Sequence, residues 1–360
     1  MLNIGKPKFW DKETFLSRVD EILESSLWSN NQAFVQELED FYSDYGVHAA
    51  ATSNCTTALE MSIRALNLPR GSYVAVPAYT FAATAQAVVN CGLCPVFIDC
   101  NKDYCMSVLD LNAKMKIYKL DAVIPTHLFG NLCNIEYFES YWEDAPVIYD
   151  AAHCNGMMYK DKPLGWYGTA ACFSHHPTKV AGSFELGYVQ SKNEEFVKSI
   201  KVQRNFGLDP NSTYECEVVS YGTNAKVSEV SAAGALTQLE NIDKILDHYK
   251  RIHSLYMMYL DNEKYKLISP NNDNSNFGYV IVRILIDEDL NDLVFMLKQY
   301  GIEAKRYFSP LNNNPFFLKY LQEGNCPNAE KLYEKTLALP VSLHITESDV
   351  AYIAKKLNEY

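Results

Sequence analysis

The sequence predicts an α/β fold, a mainly parallel sheet with helices on both faces, in a chain long enough to add a second, smaller lobe. Three observations lead there. Short apolar runs at Tyr73–Val76, Val96–Ile98, Ala122–Pro125 and Val147–Tyr149 read as buried strands. Most are separated by stretches of helical periodicity, the alternation of a parallel sheet covered on both sides. The chain has 360 residues, 48% of them apolar and 21% charged, which suits a large core and excludes a disordered protein. Thirty-two basic against 44 acidic side chains give a net charge of −12. Such a surface repels nucleic acid but leaves room for a small anion held by local donors.

The elements follow in order. Glu13–Leu27 and Phe34–Tyr45 place apolar residues three and four apart and read as amphipathic helices. Thr56–Leu66 is a third helix, closed by the turn Pro69-Arg70-Gly71. Gly71–Ile98 then runs 28 residues without a charge, long enough to cross a bilayer. Pro77, Gln86, Asn90, Gly92 and Pro95 divide it, so it reads as strand, loop, helix and strand inside a core. Met1–Trp10 is too polar for a signal-peptide core, and a cytoplasmic protein without a membrane partner is expected. Cys91, Cys94, Cys100 and Cys105 lie at near-knuckle spacing, but Cys94 leads into an apolar strand and no paired motif follows, so no metal is expected. Asn241–Tyr259 reads as a long helix and Phe277–Ile286 as a strand followed by helices. The organisation expected is a large α/β domain at 1–240 and a small α+β domain at 241–360.

In parallel sheets chemistry gathers at the carboxyl ends of strands. The run Pro146–Tyr149 ends in Asp150, followed by Ala151, Ala152 and His153. A carboxylate there is either a helix cap or the partner of a buried cation. Lys179 lies in a loop flanked by Pro177 and Gly182, between apolar runs, a setting that lowers an amine's pKa and suits Schiff-base chemistry. His175 and His176 are adjacent, so their side chains diverge and do not suggest a metal site. Thr52–Thr57, at the start of a helix, offers hydroxyls and amides either as a cap or as an anion site. Phe81, after Pro77–Thr80, supplies an aromatic face. A phosphate cradle, a stacking ring, a strand-end carboxylate and a loop lysine are together what pyridoxal 5′-phosphate (PLP) requires.

Ordered blocks carry a family likeness. Asn30-Asn31 with Phe34–Gly46, Val76–Asp99 (VP-x-x-TF-x-AT-x-x-AV), Asp150–His153 (DAAH), Phe173–Lys179 (FS-x-H-x-x-K), Arg204–Gly207 (RN-x-G) and Gly222–Glu229 with Gln238-Leu239-Glu240 stand at compatible spacings. The sequence resembles the DegT/DnrJ/EryC1/StrS sugar aminotransferases over nearly its whole length. That resemblance implies a fold-type I, aspartate aminotransferase-like PLP enzyme, and a homodimer with composite active sites. Lys179 would be the Schiff-base lysine and proton shuttle. Asp150 would pair with the pyridine nitrogen, His153 would lie near the phenolic oxygen, and Phe81 would stack on the ring. Cys55, Thr56 and Ser174 would hold the phosphate, with Asn224 reaching it from the neighbouring subunit. Glu185 would shape the loop beneath the cofactor.

Some positions depart from the family pattern: Cys55 for Gly or Ala, His175 for an aromatic, Leu186 for Gly and Val227 for Met. The family's dehydratases carry histidine where Lys179 stands, so the resemblance implies transamination. Within the family the blocks look most like enzymes that make dTDP-4-amino-4,6-dideoxyglucose, with L-glutamate as donor and a nucleotide-linked keto sugar as acceptor. Arg204, Lys226 and Arg306 are candidate cations for the donor carboxylate or the diphosphate, or else ordinary ion pairs. Ala304–Leu311 would face the cleft.

Overall fold

The computed structural model describes all residues except 141, 144, 213–215 and 321–324. Its strands are β1 His48–Thr52, β2 Tyr73–Pro77, β3 Cys94–Ile98, β4 Leu120–Val123, β5 Ile148–Asp150, β6 Met158–Tyr159, β7 Lys162–Pro163, β8 Ala170–Ser174 and β9 Gly187–Ser191. Three more follow, β10 Tyr265–Leu267, β11 Val280–Ile284 and β12 Thr336–Leu339. The helices of the first part are α1 Lys12–Ser25, α2 Ala33–Tyr42, α3 Cys55–Ala65, α4 Ala82–Asn90, α5 Val108–Met115, α6 Ile135–Ser140, α7 Glu194–Gln203 and α8 Glu229–Leu239. The rest are α9 Ile242–Tyr259, α10 Leu290–Gln299, α11 Pro327–Lys335 and α12 Glu347–Asn358.

β3-β2-β4 form a parallel group, and β5-β8-β9-β1 a second, mixed group. Parallel bridges Val123–Val147 and Thr126–Asp150 join them into one sheet. In it β9 alone runs against its neighbours β8 and β1. The mainly parallel α/β fold is therefore as expected. Alternate residues face opposite layers: Ala49 and Ala51 join the core with α2 and α8, while Ala50 joins the one with α3, α4 and α7. β10-β11-β12 make a separate antiparallel sheet whose core includes Tyr256 of α9, Leu293 of α10 and Ile353 of α12. No helix among the described residues is long and apolar enough to cross a membrane.

Element ends differ from the sequence reading where backbone sterics intervene. The second helix stops at Tyr42, before Tyr45 and Gly46, whose φ values of 65° and 80° are left-handed. The first stops at Ser25, with Ser26 at φ 57° donating back to Leu23. The strand expected over 277–286 is confined to Val280–Ile284.

Two family blocks turn out to be internal braces. Glu229, 1% exposed, caps α2: its carboxylate accepts the amides of Gln32 (2.9 Å), Phe34 (2.7 Å) and Val35 (3.2 Å). Arg204, also buried, binds Glu39, Asn31 and the Ala51 carbonyl, and Lys201 meets Glu39 from the other side at 2.7 Å. That guanidinium is consumed by the scaffold, so of the two roles the sequence left open for Arg204 the structure shows the ion pair, buried rather than on the surface.

Candidate active site

Asp150 ends β5 and Ser174 ends its neighbour β8, so both project from the carboxyl edge of the sheet. The chain then turns, with the Lys179 amide on the His176 carbonyl at 2.8 Å and the Gly182 amide on the Lys179 carbonyl at 2.9 Å. This folds Lys179 back over the strand ends. Its Nζ donates to the Tyr279 hydroxyl at 2.8 Å. Loss of water around the ammonium pulls its pKa down to about 8, against the opposing pull of Cys55 and Asp150.

Asp150 is 4% exposed. Oδ2 accepts from Thr84 Oγ1 at 2.6 Å and Oδ1 from the Ala152 amide at 3.2 Å. Burial raises its pKa despite these two bonds and the nearby Lys179 charge, and no cationic side chain forms a salt bridge with it among the described residues. His153 follows on the turn after β5. Its Nδ1 accepts the Phe129 amide at 3.2 Å, so the proton sits on Nε2, 2.9 Å from the Tyr279 oxygen. Burial holds this imidazole neutral, well below its ordinary pKa.

The start of α3 lies beside these groups. Asn54 caps it by accepting from the Thr57 amide at 2.9 Å, leaving the amides of Cys55 and Thr56 with no acceptor within the helix. Capping and an anion site thus coexist. Gly187 pairs with Ser174 on one side and Thr52 on the other. A Cβ at Gly187 would lie 2.4 Å from Asn54 C and from Cys55 N, so only glycine lets the helix start approach Ser174. Leu186, the departure next to it, is fully buried in the core. Ser174 Oγ accepts the His176 amide at 3.1 Å. Phe81 precedes α4, is 59% exposed, and meets Phe308 edge-on at 5.8 Å. Thr84, one turn further on, reaches Asp150, so one helix start anchors both the ring and the carboxylate.

The structure thus gathers Lys179, Asp150, His153, Cys55, Thr56, Ser174 and Phe81 at one edge of the sheet. It does not bring in the others. Asn224 is exposed, its Oδ1 accepting from Lys226 at 2.8 Å, with Lys226 over the Phe206 ring at 4.5 Å. Glu185 is exposed and 3.7 Å from His176 Nε2. Arg306 donates to Asn291 at 3.0 Å and lies over Tyr333 at 4.3 Å. His175 is buried, its Nδ1–H donating to the Ala181 carbonyl at 2.6 Å and its Nε2 accepting from Tyr42; burial draws its pKa down to about 4, against the Ala181 bond, which favours the charged form. It serves as a core hydrogen-bonding group in place of the usual aromatic.

Sequence reading missed Thr84 and Tyr279. Thr84 was within reach, since it closes the TF-x-AT block and a buried carboxylate needs a donor. Tyr279 left no sequence signal beyond a place in an apolar run.

Chemically, the cluster combines an amine near neutrality, a buried carboxylate awaiting a cation, an aromatic face, and amides and hydroxyls at a helix start. Those are the groups that PLP needs, and fold and site together are those of a PLP-dependent aminotransferase. The chain belongs to the DegT/DnrJ/EryC1/StrS aminotransferase family, whose model matches residues 10–358. It is 30% identical to the dTDP-4-amino-4,6-dideoxy-D-glucose transaminase of Shigella dysenteriae, over 99% of this chain and 98% of that one. It is 28% identical to the GDP-perosamine synthase of Caulobacter vibrioides, over 94% and 93%. Among solved structures, DesI with its TDP-sugar product aligns at a TM-score of 0.90 and 30% identity, covering 99% of this chain and 92% of that chain. The protein is accordingly a PLP-dependent sugar aminotransferase.

Proposed function

We propose that the protein moves the amino group of L-glutamate to the C4 ketone of dTDP-4-keto-6-deoxyglucose, giving dTDP-4-amino-4,6-dideoxyglucose and 2-oxoglutarate. The observation that carries this reading is the Lys179 amine, at a pKa of about 8, in the same cleft as a buried Asp150 that no salt bridge joins among the described residues. When bound, the cofactor supplies a ring that stabilises negative charge at the donor's α-carbon. Asp150 keeps the ring nitrogen protonated, and in return its burial is compensated. Lys179, with roughly a tenth of its amine unprotonated at pH 7, takes the proton from the donor's Cα and returns it. The α3 amides of Cys55 and Thr56, with the Ser174 hydroxyl, hold the phosphate. His153 meets the phenolic oxygen and Phe81 covers a ring face.

In this reading Asn224 reaches the phosphate of a second copy. Phe206, Val218, Val219 and Tyr221 are exposed on the same stretch of chain, an apolar surface that a partner would cover. The chain works as a cytoplasmic homodimer of two-lobed subunits, 1–240 and 241–360. The choice of dTDP sugar is supported by the Shigella dysenteriae relative and by DesI. A GDP-linked acceptor is the second reading, favoured by the likeness to the Caulobacter vibrioides enzyme. Acceptor-dependent release of 2-oxoglutarate, measured over dTDP-, UDP- and GDP-linked 4-keto and 3-keto sugars, tests both. The dTDP-4-keto sugar should give the highest kcat/KM; a tenfold preference for another acceptor would replace it, and equal turnover by Lys179→Ala would refute the chemistry.

A further inference from the structure

One hydroxyl stands at the centre of the cluster without a role in the reading above. Tyr279 immediately precedes β11, and its oxygen is 2.8 Å from Lys179 Nζ and 2.9 Å from His153 Nε2. The segment that carries it is fixed against the turn after β5. The Asn276 side-chain amide donates to the His153 carbonyl at 2.8 Å and the Asn155 carbonyl at 3.1 Å, while its Oδ1 accepts the Gly278 amide at 3.1 Å. A Cβ at Gly278 would come within 2.6 Å of Val180 Cγ2, so glycine permits the close approach to the lysine turn. The Tyr279 ring packs on His153 at 4.2 Å and on Phe129 at 5.4 Å.

We propose that Tyr279 is a positioning residue for Lys179: its hydroxyl, oriented by His153, holds the lysine amine in place whenever that amine is not joined to the cofactor. This rests on the reading of Lys179 as the Schiff-base lysine. Transamination frees that amine when the donor's amine displaces it, early in the first half-reaction, and must recapture it at the end of the second, and a lysine is a point charge on a flexible four-carbon stem. The geometry supplies a resting place. Phe129 occupies Nδ1 of His153, so Nε2–H points at the tyrosine oxygen and takes one lone pair. The other lone pair faces the ammonium, a charge-assisted bond.

Burial raises the Tyr279 pKa well above the phenol's ordinary value, so the group stays protonated and acts as a hydrogen-bond partner rather than as a base. The groups facing the amine are Cys55 from α3, Asp150 from β5, Cys154 and His153 from the following turn, Tyr307, and Tyr279 itself. Burial keeps the two thiols and the phenols protonated and the imidazole neutral, which leaves Asp150 as the carboxylate of that set. Removing the Tyr279 oxygen therefore takes a bond from the charged form of the lysine.

The test is the pH dependence of acetylation of Lys179 by acetic anhydride in the full-length, cofactor-free protein, read by peptide mass spectrometry. The wild-type midpoint should fall near 8, and Tyr279→Phe should lower it by about half to one pH unit. Incorporating 3-fluorotyrosine at position 279 keeps the shape and weakens the oxygen as an acceptor; it should shift the midpoint the same way by less. In the loaded enzyme, the cofactor's absorption band should return more slowly in Tyr279→Phe when keto sugar follows glutamate. A midpoint that ignores both changes in folded protein overturns the proposal. Failure of the underlying reading looks different: Lys179→Ala would then still release 2-oxoglutarate.

Discussion

A catalytic amine held out of water should cost the fold stability, and the cost is measurable. The Lys179 pKa falls from 10.5 to about 8, and at roughly 1.36 kcal/mol per unit the ammonium destabilises the native state by about 3 kcal/mol. The sign follows from linkage. Between pH 8 and 10.5 the unfolded chain holds a proton that the folded one has lost, so stability from this group rises with pH across that window. Below 8 both states are protonated and the full penalty applies. Lys179→Met keeps the stem and removes the charge, forfeiting the bond to Tyr279, which is worth about 1 kcal/mol. The cofactor-free variant should therefore exceed wild type by about 2 kcal/mol at pH 7. The gap should close as pH is raised from 8 towards 10.5. Urea unfolding of both proteins at several pH values reads the difference, and titrations common to both cancel. A gap that stays constant with pH, or a variant less stable at pH 7, would refute the claim that desolvation sets the lysine's pKa.

Other expectations concern the surrounding groups. Asp150→Asn should retain cofactor binding but slow turnover by about 10²-fold or more, measured as single-turnover loss of the cofactor band with glutamate. Thr84→Val should leave Asp150 with one hydrogen bond fewer and raise the pH at which that carboxylate ionises, moving the acidic limb of kcat upward. Gly187→Ala forces its Cβ to within 2.4 Å of the α3 backbone, so it should cost about 1–3 kcal/mol in urea unfolding and weaken PLP binding in equilibrium dialysis. Arg204→Ala strips Glu39 of its buried partner and should destabilise by about 3 kcal/mol, with Lys201 limiting the loss.

Much of this was legible in the sequence, for local reasons. A parallel-sheet strand announces itself as an apolar run, and the residue that ends it lies at the reactive edge, so Asp150 and Ser174 could be placed from neighbours alone. Lys179 was legible because a charge between apolar runs must either be surface or be desolvated. What could not be read were contacts across long stretches of chain. Tyr279 is 100 residues from Lys179, and its strand-like surroundings describe its backbone, not the direction of its hydroxyl. Arg204 finds Glu39 at a separation of 165 residues, and no local pattern distinguishes a buried guanidinium from a free one. The early stop of α2 is a further case: the apolar spacing carries on to Tyr45, and nothing in it shows that Tyr45 is left-handed.

The polar residues of the family blocks divide by how far their hydrogen bonding is met within the chain. Arg204 spends its guanidinium on Glu39, Asn31 and Ala51, and Glu229 takes three amides; both are complete, and both hold helices to the sheet. Lys179 has three donors and, among the described residues, one hydrogen-bond acceptor, the Tyr279 hydroxyl. Asp150 is a buried carboxylate met by a hydroxyl and an amide. The amides opening α3 have no acceptor in their own helix. Buried polar groups in native proteins are paired, so unmet capacity of opposite sign, converging at one edge of one sheet, specifies a ligand that is anionic at one end and cationic at the other with an electrophilic carbon between them. An asymmetric need of this kind distinguishes a cofactor site from a structural network, and it predicts that filling only one end, with inorganic phosphate at α3, should protect the amides of Cys55 and Thr56 from hydrogen exchange and raise the Lys179 midpoint, because an anion beside Cys55 favours the nearby ammonium; an unmoved midpoint would refute it.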